Sequence, residues 1–257
     1  MTTVLELEER CADAWPALVD ERLGGWRLRA AGGFTGRANS ALTTGDPGVP
    51  VADALAAVSG FARRHEIRPL AHVVVGSPHE DAVARTGWRV DLDHPGGAES
   101  LVLTGPLAAF ATPKPEGVAE GVTEGVAEGV SVPTSPSEGW WELAAQAEPT
   151  PAQRHVLGSG GVVGFGQVAR DGVVLAAVRG AVVGDLLHVA RLAVRPEARR
   201  RGLARALLGG LASWALGRGA TTCALQVAEH NTPALELYRS LGCVEHHRYR
   251  YWAPNHS

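Results

Sequence analysis

Cysteine, aromatic residues and net charge are all scarce in this chain. Its three cysteines, Cys11, Cys223 and Cys243, are scattered over 257 residues with no CxxC or CxxxC pair. That spacing gives no metal-site signal and fits a chain kept reduced rather than one stapled by disulfides. No apolar run approaches the ~20 residues that span a bilayer. The first residues are acidic (Glu6, Glu8, Glu9), where a secretory leader would be basic and apolar. The expectation is a soluble, cytoplasmic protein with no metal and no membrane partner. A formal net charge of −3, with few aromatics interleaved among basic residues, opposes a general nucleic-acid binder. No glycine run leads into the Gly-Lys-Ser/Thr of a phosphate loop. The stretch Gly164-Phe-Gly-Gln-Val-Ala169 does match the dinucleotide pattern G-x-G-x-x-A. That pattern has to open a helix after a strand, however, and this copy reads as the inside of a strand before the hairpin signal Asp171-Gly172.

What is present is enough apolar content for a sizeable core: 45% of residues are hydrophobic, and the length allows one large or two small domains. Composition changes abruptly where Glu116-Gly-Val-Ala, Glu120-Gly-Val-Thr, Glu124-Gly-Val-Ala and Glu128-Gly-Val-Ser follow one another between prolines. Glycine opposes helix, and Glu with Pro opposes a packed core, so residues 112–130 read as a flexible linker. Residues 1–111 and 131–257 then become two units.

In the first unit, apolar spacing predicts a helix over 9–23, stopped by Gly24-Gly25. A strand over 26–30 and a second over 35–42 would form a hairpin. A helix over 51–65, a strand over 70–75, a helix over about 78–87 and closing strands at 88–92 and 99–103 follow. In the second unit the expected order is a helix over 140–147, strands over 161–169 and 173–178, a loop over 180–185 and a strand over 186–194. A helix over 202–216, a strand over 221–227, a helix capped by Thr232 and ended by Gly242, and a last strand over 244–252 complete it. The fold class is α+β with a mixed central sheet.

The most informative stretch runs from Arg191 to Leu208: an apolar strand, Pro196 to end it, then Arg199-Arg200-Arg201-Gly202 opening a helix. A helix start leaves about four N–H groups unpaired, and its dipole favours an anion there. Gly202 and Ala204 let a ligand approach the backbone, and the arginines add forked donors. The residues Val194-x-Pro196-x-x-Arg199-x-x-Gly202-x-Ala204 resemble the acetyl-CoA pyrophosphate loop of the GNAT N-acetyltransferases. Asn231-Thr-Pro-Ala-Leu-Glu-Leu-Tyr238 is similar to that family's late helix. The likeness covers about residues 160 to 252. Ala84-Arg-Thr-Gly-Trp-Arg-Val in the first unit is reminiscent of the end of the second, which makes the first unit a degenerate GNAT-like domain, with an unrelated α+β domain as the alternative.

The resemblance implies transfer of an acetyl group from acetyl-CoA, as cosubstrate, to a primary amine by direct attack, with no cysteine nucleophile and no metal. It implies that Leu192, Ala193 and Val194 pair with pantetheine through free backbone. Arg199, Arg200, Arg201, Gly202, Leu203 and Ala204 would cradle the diphosphate, and Asn231 would contact CoA or cap its helix. Tyr238 stands in the family's usual acid position. His188 stands where several relatives have a basic Glu, fourteen residues before Gly202, with Glu148, Glu229 and His230 as other candidates and a water relay as another route. Arg37, Asn39 and Ser40 are candidates for facing substrate or for a structural role. Cys243 replaces the family's common Phe after the late glycine. The acceptor is expected to be a small-molecule amine, with an amino acid such as glutamate or an aminoglycoside-like amine open. A protein or peptide N-acetyltransferase, and a non-catalytic acyl-CoA binding or sensing module, are the alternatives.

Overall fold

The computed structural model describes residues 2–110 and 129–255. Most of the expected linker, 112–128, lies outside the described residues, whereas Val130, assigned to the linker from composition, opens a strand.

Helix α1 spans Val4–Ala14 rather than 9–23. Its start is a reciprocal cap: the Glu6 N–H donates to Thr3 Oγ1 at 3.2 Å, and the Thr3 N–H donates to Glu6 Oε2 at 2.8 Å. Its end is set by Pro16, which pushes Trp15 out of helical geometry. The rest of the expected helix is strand β1 (Val19–Leu23), joined to β2 (Trp26–Ala30) through Gly24 and Gly25. Gly24 sits at φ +55°, and a Cβ there would fall 2.4 Å from the Pro47 carbonyl oxygen.

Residues 35–42 do not form the expected strand. A 3₁₀ turn occupies Gly36–Ala38, and only Ala41–Leu42 (β3) joins the sheet. The buried Asn39 explains this. Its Oδ1 accepts the N–H groups of Ala31 (2.7 Å) and Gly33 (2.9 Å), and its Nδ2 donates to the carbonyls of Phe34 (2.8 Å) and Thr35 (2.9 Å). An amide with every site filled by local backbone competes successfully with a strand ladder.

Helix α2 (Val51–Arg64), strand β4 (Ala71–Val74), helix α3 (Pro78–Arg85), and strands β5 (Trp88–Val90) and β6 (Glu99–Pro106) complete this segment. After residue 129 come β7 (Val130–Ser131), α4 (Glu138–Ala144) and α5 (Pro151–Gly158). Helix α5 was not foreseen, although Thr150-Pro151 with Gln153 is a capping box behind an N1 proline. Strand β8 (Val162–Arg170) contains the glycine pattern excluded above. Strand β9 runs Val173–Val183 through the expected loop, and the turn falls at Gly184-Asp185 instead. Then follow β10 (Leu186–Val194), α6 (Leu203–Leu216), β11 (Thr222–Ala228), α7 (Thr232–Ser240) and β12 (Val244–Pro254).

The strands form one mixed sheet in the order β1-β2-β3-β4-β12-β6-β11-β10-β9-β8-β7, with β5 on β12. The crossings lie in the middle. Strand β6, from the first segment, is antiparallel to β11 on one side and to β12 on the other. Strand β12, the last in the chain, also pairs with β4 and β5. Each segment thus has its final strand hydrogen-bonded into the other's sheet. Helices α6 and α7 cover one face through Leu207, Leu208, Leu211, Leu235 and Tyr238. On the opposite face Trp15 packs with Trp140, Phe165 and Ala190. No helix of the described residues is long and apolar enough to cross a membrane.

Candidate active site

Strands β10 and β11 run parallel, paired from Leu186↔Thr222 to Val189↔Leu225, and then part. Strand β11 continues to Ala228 on β6 alone, and β10 continues to Val194 on β9 alone. The separation begins at a bulge. The β10–β9 register slips by one residue between Ala190 and Ala193, and Arg191 takes φ +58°. From there to Val194, one edge of β10 has no strand beside it among the described residues, so Leu192, Ala193 and Val194 lie along an open edge.

This open edge leads directly into the cationic turn. Pro196–Ala198 form a 3₁₀ turn, Arg200 and Gly202 have positive φ (60° and 78°), and α6 begins at Leu203. The first N–H bonded back into the helix is that of Ala206, to the Gly202 carbonyl at 3.0 Å. The amides of Gly202, Leu203 and Ala204 precede it and point out of the helix start. The Arg199 Nε donates to the Val194 carbonyl at 3.2 Å, tying the turn to the strand end, while Arg200 and Arg201 are exposed.

His188 lies on β10 two residues before the parting, fully buried beside Trp15. Its Nε2 is 2.9 Å from Gln226 Oε1, an oxygen that also accepts from Arg37 Nη1. An oxygen already taking a donor requires His188 Nε2 to carry the proton, which leaves Nδ1 as the lone-pair nitrogen, buried and unpartnered among the described residues. Burial, with the Arg37 charge beside it, pushes the ring's pKa down to about 3. A general base needs access to the amine and a pKa nearer the working pH; His188 has neither, and it is not among the cavity's lining residues. The bulge also breaks the side-to-side alternation of β10, so Leu192 packs toward the α6 core while Ala190 stays on His188's side.

Beyond Gln226 opens a cavity of about 480 Å³ at the parted strands. Its walls include Arg37 and Gly36 from the 31–39 loop, Arg68, His94, Gln226 and Ala228 of β11, Ser100 of β6, and Tyr249 and Tyr251 of β12. The loop comes close because Gly36 has no side chain: a Cβ would meet His94 Nε2 and Tyr251 Cζ at 2.6 Å each. His94 stacks on Tyr251 (centroids 4.1 Å apart), and its pKa is lowered, chiefly by burial. Of the residues read from sequence as facing substrate, Arg37 reaches the cavity through its side chain. Asn39 spends its amide on the loop, and Ser40 is buried with Oγ accepting from Arg29 at 3.1 Å.

On the other face Tyr238 is buried in the α6–α7 core, and burial raises its phenol pKa so that it stays protonated at neutral pH. Cys243 lies behind it, 3.9 Å from Cys223 sulfur to sulfur. Asn231, not Thr232, caps α7: its Oδ1 accepts the Ala234 N–H at 3.4 Å. Glu148, Glu229 and His230 are exposed and none lines the cavity. Sequence reading missed Gln226, Ser100, Arg68, His94, Tyr249 and Tyr251. The alternation of β12 puts the two tyrosines on one face, but no local pattern shows that this face meets β11.

In sequence, residues 2–252 match the family described as "Probable histone acetyltransferase Rv0428c C-terminal". No curated protein matches the chain. Among solved structures, a GCN5-related N-acetyltransferase from Kribbella flavida is similar with a TM-score of 0.65 at 17% identity, over 100% of this chain and 97% of that one. A tandem GNAT protein from the clavulanic acid biosynthesis pathway gives 0.60 at 17% identity, over 96% and 86%. A putative acetyltransferase of the GNAT family from Novosphingobium aromaticivorans gives 0.56 at 18% identity, over 97% and 99%. At such identities the likeness is one of fold, and it agrees with the α+β architecture and mixed sheet expected from sequence. The family match spans nearly the whole chain, so the chain belongs to this family of GNAT-class acetyltransferases.

Proposed function

We propose that the protein transfers an acetyl group from acetyl-CoA to the primary amine of a small molecule. One observation carries this reading: the unpaired edge of β10 after the bulge runs straight into the free amides at the start of α6. A ligand with amide groups along a flexible arm and a diphosphate at its end fits that sequence of features. Leu192, Ala193 and Val194 pair with the arm. The amides of Gly202, Leu203 and Ala204 take the diphosphate, with Arg199, Arg200 and Arg201 around it. Asn231 holds the α7 start beside the site.

The acceptor occupies the cavity on the other side of the parted strands, and its nitrogen attacks the thioester carbonyl. The C–N bond forms, the C–S bond breaks, and the leaving thiolate takes the proton of Tyr238. Among the described residues no carboxylate lines the cavity, and His188 is enclosed, so the amine loses its proton to water. His188 serves instead behind Gln226, as a donor that fixes the amide's orientation. The two-unit reading, with 1–111 as a degenerate GNAT-like domain and 131–257 as the acetyltransferase domain, is part of this proposal. The order β3-α2-β4-α3-β5 repeats as β10-α6-β11-α7-β12, with a parallel first pair each time.

The family's description favours a second reading, acetylation of a protein or peptide. A thiol-release assay with acetyl-CoA and a panel of small amines and lysine-containing peptides separates the two. Tyr238→Phe should lower turnover at least ten-fold and leave acetyl-CoA affinity within two-fold of wild type by calorimetry. Unchanged turnover would reassign the acid, and absence of acetyl-CoA binding to the wild type would end the reading.

A further inference from the structure

We propose that the acceptor carries a carboxylate, and that Arg37, delivered by the loop ahead of β3, is the residue that reads it. This rests on the acetyltransferase reading above and narrows its acceptor.

The cavity is rich in donors and poor in acceptors. Among the described residues no Asp or Glu lines it. Of its two arginines, Arg68 is paired with Asp91 at 2.8 Å, but Arg37 has no ion pair among the described residues. Among the described residues Arg37 engages only Nη1, as a donor to Gln226, so Nε and Nη2 remain to donate. Tyr249 and Tyr251 also line it, and burial raises both phenol pKa values, so neither adds a negative charge. His94 Nδ1 accepts the Gly96 N–H at 3.1 Å, so the neutral ring presents Nε2–H as a further donor. Behind this wall Arg179 and Arg191 also lack a carboxylate partner among the described residues, and each lies over an aromatic ring of the same layer. A site with this balance attracts an anion and repels a second cation.

Arg37 is also held in place before any ligand arrives. Its guanidinium lies 4.3 Å over the Trp15 ring, and Gln226, itself fixed by His188, takes Nη1. An immobilised fork with two free donor positions matches a carboxylate and loses little freedom on binding it. A volume of about 480 Å³ suits a molecule of amino-acid size. The chemistry of transfer then resides on strands β10 and β11, while the choice of acceptor resides on Arg37, Arg68 and His94, all from the segment before residue 111.

The test uses the full chain and measures thiol release with three matched sets of acceptors: α-amino acids, their carboxamides, and the corresponding decarboxylated amines, with a lysine-rich peptide alongside. Loss of a charge-assisted fork is worth on the order of 100-fold. The acids should exceed their amides by about that factor in kcat/KM. Arg37→Gln should raise KM for the acids by a similar factor and erase the preference, while Arg37→Lys retains part of it. Acetyl-CoA affinity by calorimetry should stay within two-fold in both variants, which also reports that they are folded. If a variant does not fold, the wild-type preference alone decides. Equal use of acids and amides, preference for the lysine-rich peptide, or an undiminished preference in Arg37→Gln would overturn the proposal. Wild-type protein that binds no acetyl-CoA would instead remove the acetyltransferase reading beneath it.

Discussion

Replacing His188 by leucine should flatten the acid side of the stability curve. In the folded protein the ring is fully buried and its pKa is about 3, against 6.5 for the free side chain. Below pH 6.5 the unfolded chain therefore binds a proton that the native chain refuses. Stability falls as pH drops through the window from 6.5 to 3, and the whole of that contribution is present above 6.5. Linkage gives a loss of about 3 kcal/mol by pH 4.5 and about 4 kcal/mol by pH 3. Leucine has a similar volume, cannot be protonated, and leaves Arg37 as the donor to Gln226. Urea unfolding of both proteins at pH 8 and pH 4.5, followed by tryptophan fluorescence, gives the two free-energy drops directly. Wild type should lose about 3 kcal/mol more than His188→Leu across that interval. Other acid-sensitive groups, among them Glu8 with His72, are common to both proteins and cancel. Parallel losses, within about 0.5 kcal/mol, would mean that His188 titrates freely, and the argument against it as the base would fall with that result.

Gly36→Ala should close the acceptor cavity, because the new methyl falls 2.6 Å from both His94 and Tyr251. We expect KM for the acceptor to rise ten-fold or more, stability to drop by about 1–3 kcal/mol, and acetyl-CoA binding to be unchanged in titration calorimetry; an unaltered acceptor KM would show that this face is not where the amine sits. With no carboxylate lining the cavity among the described residues and His188 neutral throughout the physiological range, kcat/KM should climb with pH toward the pKa of the acceptor amine itself. A rate profile that levels off at the same pH for amines of different basicity would point to a protein base instead.

The amount that sequence reveals here follows the range of the forces involved. Helix α6, its glycine start, helix α7 and the β10 strand were legible because caps, glycine conformations and apolar periodicity act over a few residues. The fold class and the family likeness came from the same local patterns. Errors arose where a nearby residue competes with periodicity. Pro16 ended α1 early, and Asn39 drew residues 31–39 into a turn. Thr150 with Gln153 began a helix inside what reads as a loop. His188 fell on the expected strand, but whether a strand histidine meets solvent or a Trp15 ring depends on what the rest of the chain lays over it.

Sequence alone determined the cationic turn proposed to take the diphosphate, since free amides, a left-handed glycine and arginines are properties of adjacent residues. Only the tertiary structure decided what stands opposite that turn. Gln226, Ser100, His94, Tyr251 and Arg37 are far apart along the chain, and they meet because β6 and β12 insert into each other's sheets and the 31–39 loop folds over the parting of β10 and β11. Strand pairing of that kind is fixed by burial of whole faces and by satisfaction of open edges. Those are sums over the entire molecule, and no short segment carries them.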